Sequence, residues 1–247
     1  MATARQDMAE SAASRSNVYG LLAAAFRAEP SAAFLAQVKS SEFANVLESL
    51  DLSLGDDFQD TPCDQLVEGL AVEYTRLFIG PGPRISPHES TNIEFENPME
   101  GTLWGPQTVK VKKFIEAAGL AYDELFDGMP DHVSAELEFM QRLATKEAEA
   151  WEERNEEFAT NILKIEERFL DEHLSLWISR FCDKVIEHSE HPFYQGFAEV
   201  TKGFLEYEGK SRKPSTAVQA TEEASPTDRG VERPRGHFTP GFEAARM

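Results

Sequence analysis

The chain has 247 residues, with 24 Lys/Arg against 44 Asp/Glu and a formal net charge of −20. So acidic a protein repels nucleic acid and anionic lipid, and it attracts cationic partners at long range. No apolar run reaches the ~18 residues that a membrane-crossing helix needs, and the Ala/Ser-rich start lacks the apolar stretch of a secretory signal. Two cysteines, Cys63 and Cys182, form neither a disulfide framework nor a metal-ligand cluster, so a cytoplasmic location is expected.

The charge is unevenly spread. From Gly209 onward there are seven basic and five acidic residues, which leaves 17 basic and 39 acidic before it, a net of −22. That later stretch also holds four prolines and four glycines, so 209–247 is expected to be a disordered tail. Residues 1–15 are read as a flexible N-terminus, and 16–208 as one helical domain.

Within that domain apolar residues recur at helical spacing. The first stripe is Val18, Leu21, Leu22, Ala25 and Phe26. The second, after Pro30, is Phe34, Leu35 and Val38, and the third is Phe43, Val46, Leu47 and Leu50. Pro62 opens a helix with Leu66, Leu70, Tyr74 and Leu77. Pro106 opens another, carrying Val109 and Ala117 on one side and Val111, Phe114, Ile115 and Ala118 on the other, with Gly119 as its stop. A helix from near Pro130 carries Val133, Leu137, Met140 and Ala144. Three more follow: Phe158, Ile162, Ile165 and Phe169; Leu174, Trp177, Phe181 and Val185; and, after Pro192, Phe193, Phe197, Val200 and Phe204. No stretch alternates with period two, so the predicted fold class is all-α, a single multi-helix bundle. Residues 80–106 hold five prolines and four glycines, which predicts a long internal loop or hinge.

Catalytic motifs are missing. GPGP at 80–83 is not followed by the Gly-Lys-Ser/Thr of a phosphate loop. None of the six histidines stands in a Glu-x-x-His or His-Glu-x-x-His spacing, and His188 and His191 are a weak metal pair. The strongest polar constellation is Asp131–His132 with Glu136. At i and i+4 His132 and Glu136 share a helix face and can pair, while Asp131 can receive backbone N–H groups where the helix begins. The positive helix end disfavours imidazolium, so a neutral His132 is expected. Ser86, Ser90, Thr91 and Ser134 lie in no nucleophile-elbow motif. No cofactor, no metal and no enzyme activity is expected.

Four segments occur in order: Glu73-Tyr-Thr-Arg-Leu-Phe-Ile-Gly-Pro-Gly82, Pro87-His-Glu-Ser90, Pro130-Asp-His-Val-Ser-Ala-Glu-Leu137 and Phe169-Leu-Asp-Glu-His-Leu-Ser-Leu-Trp177. This set resembles the TorD/DmsD/NarJ family of molybdoenzyme maturation chaperones, on its TorD-like side, over roughly residues 16–207. The resemblance implies an all-helical fold and a chaperone that binds the twin-arginine leader and the apo-form of a molybdopterin oxidoreductase before export. It places the leader-binding region on Tyr74, Leu77 and Phe78 and on Asp131 and His132, with Glu136 beside them. Phe95 and Trp104 are the nearest counterparts of an aromatic residue that members carry after the loop. A cationic, apolar leader also suits an acidic receptor with an apolar groove. The length of the 80–106 connection allows a monomer or a domain-swapped dimer. The alternative function is a helical adaptor that binds another protein without leader recognition.

Overall fold

Alanine-rich α1 (Ala2–Arg27) begins the chain in the computed structural model, which describes residues 2–41, 43, 44, 47, 53–81, 84–95, 102–119 and 128–212. There follow α2 (Ala32–Val38), capped by Ser31, and α3 (Cys63–Tyr74), which widens into a π turn over Thr75–Ile79. A single helical turn, α4 (Glu89–Asn92), precedes α5 (Pro106–Ala117), which has proline at its first position. The C-terminal half comprises α6 (Val133–Glu152), α7 (Glu156–Phe169), a second π turn (Leu170–Leu174), α8 (Ser175–His188) and α9 (Pro192–Arg212). Among the described residues the only β pairing is an isolated antiparallel bridge, His88 to His132. The protein is all-helical, and Met1–Lys213 form one compact unit.

α1 packs along α6, α6 against α7, and α8 against α9. The faces that meet are the predicted stripes: Leu22, Phe26, Leu70, Leu137, Met140, Phe169, Trp177, Phe181, Phe193 and Phe197 all lie in one core cluster. Gly119 ends α5 with a left-handed φ of 74°, a conformation that a side chain would oppose. Three stripe positions turn outward instead, Ala117 on the Val109 side of α5 among them. Phe158 is 45% and Val109 42% exposed, because the buried face of α5 is Val111 and Ile115 and that of α7 starts at Ala159 and Ile162.

The N-terminus departs from expectation. Residues 2–15 form the first half of α1 rather than a flexible lead-in. Ala9 packs in a small cluster with Ala150, Trp151 and Ala159, and Ala12 is fully buried. Arg15 holds three buried carboxylates from three helices: Glu147, Glu166 at 2.6 Å and Glu208 at 3.4 Å. Burial opposes the guanidinium charge, but Glu166, Glu147 and Glu208 more than offset it and hold the Arg15 pKa above its usual value. Small alanines permit the close approach, and this ion cluster fixes it. At the other end α9 runs to Arg212, past the Gly209 boundary expected for the tail. The rest of that tail (213–247), part of the third stripe and the middle of the 80–106 loop lie outside the described residues.

Candidate functional site

The α3 end of the site is built on a helix that changes pitch. A π turn inserts an extra residue per turn and re-aims the side chains that follow. Tyr74, Leu77 and Phe78 are 5%, 2% and 8% exposed and belong to the core. The Phe78 ring lies 6.2 Å from Phe181 and 6.0 Å from Tyr194, and Tyr74 donates its hydroxyl hydrogen to the Phe26 carbonyl at 3.3 Å. Burial, then the nearby Glu29 charge, pushes the Tyr74 pKa up to about 12. As folded, none of the three offers its side chain to a peptide. The apolar side chains that α3 and its turn expose are Val72, at 71%, and Ile79, at 57%.

The same turn carries an anchor. Arg76 donates to both oxygens of Glu73 at 2.7 Å and to the His188 carbonyl at 2.6 Å. Glu73 also accepts from the Ser189 hydroxyl at 3.0 Å and from the Glu190 N–H at 2.7 Å. Burial alone would raise the Glu73 pKa. The hydrogen bonds from Arg76, Glu190 and Ser189 outweigh it and hold the carboxyl below its usual range. This pair ties α3 to the turn between α8 and α9.

The second half of the site is a clamp between Pro87-His-Glu-Ser90 and Pro130-Asp-His-Val-Ser134. Their backbones exchange bonds, Glu89 N–H to the Asp131 carbonyl at 2.9 Å and Val133 N–H to the Pro87 carbonyl at 2.8 Å. Asp131, fully buried, accepts from the Ser90 N–H at 3.1 Å and the Thr108 hydroxyl at 3.2 Å. It therefore caps α4 and reaches α5, and does not cap its own helix. His132 takes that role: its Nδ1 accepts from the Ser134 N–H at 3.2 Å. Burial, then the neighbouring His88 and Arg27, lowers the His132 pKa to about 3, so the ring is neutral, as its place at a helix N-terminus demands.

The expected His132–Glu136 pair does not form. Helix α6 starts at Val133, which leaves the His132 side chain at the cap and Glu136 one turn inside the core. Glu136, 0% exposed, accepts from the Trp177 indole N–H at 3.1 Å. Its pKa is raised well above the carboxylate range by burial, then by the charge of Glu89 and a hydrogen bond with it. Glu89, also fully buried, is held by His173 Nδ1 at 3.1 Å and by the Gln107 amide. Three buried atoms of this cluster, Ser90 Oγ, Asp131 Oδ1 and Glu136 Oε1, make no hydrogen bond among the described residues. A cluster so under-satisfied is costly and is sustained only by the packing around it. No group of three or more metal-ligating side chains with metal-site geometry occurs among the described residues.

Residues 36–183 match the family described as nitrate reductase delta subunit, a span that takes in both turns and the clamp. The chain belongs to that family. Among curated proteins it is similar to the Tat proofreading chaperone DmsD of Salmonella typhimurium, 28% identical over 55% of this chain and 58% of that protein. It is also similar to the chaperone protein TorD of Shewanella loihica, 23% identical over 64% of this chain and 66% of that one. The match thus spans less than two thirds of these relatives' length. A crystal structure assigned to a redox enzyme maturation protein of Archaeoglobus fulgidus is 26% identical and covers 78% of this chain and 93% of its own, with a TM-score of 0.47, too loose a likeness to argue from.

Of the six residues singled out in the sequence, the structure brings Asp131, His132 and Glu136 to the clamp and leaves Tyr74, Leu77 and Phe78 in the core. Sequence reasoning missed Glu73, Arg76, Glu89, His173 and Trp177 as partners. The signal was present, since all five lie inside the four ordered segments of this family. Three of those segments meet in space: Glu89 with His173, Ser90 with Asp131, and Glu136 with Trp177.

Proposed function

We propose that the protein is a cytoplasmic maturation chaperone that binds the twin-arginine leader and the apo-form of a molybdopterin oxidoreductase and assists cofactor insertion before export. The observation that carries this reading is membership of a family whose similar curated proteins are named as a Tat proofreading chaperone and as a chaperone. The leader meets the first π turn from outside. Its apolar stretch lies against the exposed Val72 and Ile79, and its arginines lie near Glu29 and Glu190. These carboxylates border that turn, Glu29 accepting from Thr75 Oγ1 at 3.3 Å and Glu190 standing 3.7 Å from Arg76. Tyr74, Leu77 and Phe78 support this surface from beneath. Asp131 and its partners hold the 86–92 segment in place, so the clamp positions the surface and does not touch the leader.

A titration of the full chain with a twin-arginine leader fused to a carrier tests the reading. Val72→Asp and Ile79→Asp should each weaken binding by about tenfold, because an apolar contact becomes a desolvated charge. Making the leader's apolar stretch polar should abolish retention. Equal retention of both leaders by the unaltered protein removes leader recognition and leaves a helical adaptor.

A further inference from the structure

A groove of about 740 Å3 lies between α5 and the α7–α8 junction, with no residue of the first π turn in its lining. Its apolar lining includes Phe114, Ala117, Ile165 and Leu176, the last 56% exposed. Ile93 and Phe95 belong to the same lining, with Glu94 between them paired to Arg180 at 3.0 Å. Arg168 is neutralised there: it pairs with Glu172 at 3.1 Å and lies 5.2 Å over the Phe114 ring. Lys110 and Lys113 differ. They sit three apart on α5, both exposed, and make no ion pair among the described residues, whereas Lys112 is spent on Glu116 at 3.7 Å.

The local charge runs against that of the protein. Three lysines and one glutamate give α5 a net of +2, beside a net of −22 before Gly209. Two uncompensated ammonium groups within a Debye length of about 8 Å repel the arginines of a leader. They favour carboxylates instead. An apolar trough flanked by helices takes a partner helix by its apolar face. We propose that this groove seats an amphipathic segment of the client polypeptide whose apolar face is bordered by carboxylates, a second contact distinct from the leader's. This rests on the chaperone reading above and assigns a place to the folded or folding client. Gln107 and His173 line the groove and are the two residues that hold Glu89, so the seated segment rests directly on the clamp.

The probes are two synthetic peptides of about 14 residues, long enough for some four helical turns. Both carry leucines on one helical face; one borders that face with Glu, the other with Lys. Fluorescence anisotropy with the full chain should show the Glu-bordered peptide binding at least about tenfold more tightly. Lys110→Glu together with Lys113→Glu should reverse that preference, and Leu176→Asp should abolish binding of either peptide. Leader binding should change by less than about twofold in both variants, since additivity holds for separate sites.

Binding of neither peptide, as expected if another part of this chain already fills the groove, overturns the proposal. So does equal affinity for the two peptides, or a loss of leader binding on charge reversal. A leader that fails to bind while the Glu-bordered peptide binds removes the leader reading and leaves the groove standing.

Discussion

The two π turns use the same backbone device for opposite ends. The first, Thr75–Ile79, ends its helix and brings Arg76 to the surface, 39% exposed along its side chain, over its buried partner Glu73. The second, Leu170–Leu174, continues into α8 and drives His173 inward, to 4% exposure, where it meets Glu89. One turn faces solvent with exposed Ile79, bordered by Glu29 and Glu190. The other closes the polar clamp and forms one wall of the lysine-bordered groove. The difference teaches that the family's segments do not all mark contact surfaces. Most of their polar residues secure the chain on itself: Glu73 with Ser189, Asp131 with Ser90, Glu89 with His173.

The sharpest way to break the comparison is at His173. Replacing it by Ala leaves the buried Glu89 side chain with one hydrogen-bond partner fewer, and leaving a buried polar group short of a partner costs about 1–3 kcal/mol. Urea unfolding of His173→Ala, followed by far-ultraviolet circular dichroism, should show that loss. His173→Gln, which retains a donor, should recover part of it. If His173→Ala costs no more than Arg76→Ala at the first turn, the distinction between the two turns is lost.

A smaller effect lies in the pH dependence at His132. Its folded pKa of about 3 stands below the unfolded value of about 6.5. The unfolded chain therefore takes up the proton first as pH falls. Its contribution to stability is complete above about pH 6.5 and is lost as pH drops toward 3, at about 1.4 kcal/mol per unit within that window. His132→Asn keeps a capping acceptor without the titration. Denaturation at pH 7 and pH 5 should show the variant nearly matching the unaltered protein at pH 7 and exceeding it by about 2 kcal/mol at pH 5. The remaining groups around this ring are His88, 5.0 Å away centroid to centroid, together with Asp131 and Arg27. His88→Gln in both backgrounds isolates the His132 part.

How legible was this? The helices were, because their apolar stripes have the 3.6-residue period and the described stripes meet in the core. Phe158 and Val109 escaped that logic because stripe membership at a helix end does not say which flank is covered. The N-terminal half of α1 was hidden by composition: alanine reads as weakly hydrophobic, yet Ala9 and Ala12 are buried since their small size lets α1 sit close. The site was half legible. Residues of three of the segments meet in one polar cluster, but periodicity cannot say whether Tyr74 and Leu77 line a groove or the core. Nor can it pair Glu89 with His173, 84 residues apart.

The least effect is expected at Arg76, where the comparison is tested from its exposed side. Arg76 makes a bidentate pair with Glu73 and one bond to the His188 carbonyl, but solvent reaches its side chain and screens the charge. Glu73 is buried but keeps its bonds from Ser189 and Glu190 when the guanidinium is gone, so the loss falls short of that for a fully buried pair. Arg76→Ala should therefore cost about 1 kcal/mol in urea unfolding. It also frees Glu190 and leaves the turn more acidic, so leader association should hold or quicken at low salt while stability falls slightly. Should Arg76→Ala instead unfold the protein, the first turn would be a structural lock of the same kind as the second. The leader surface would then have to be sought elsewhere.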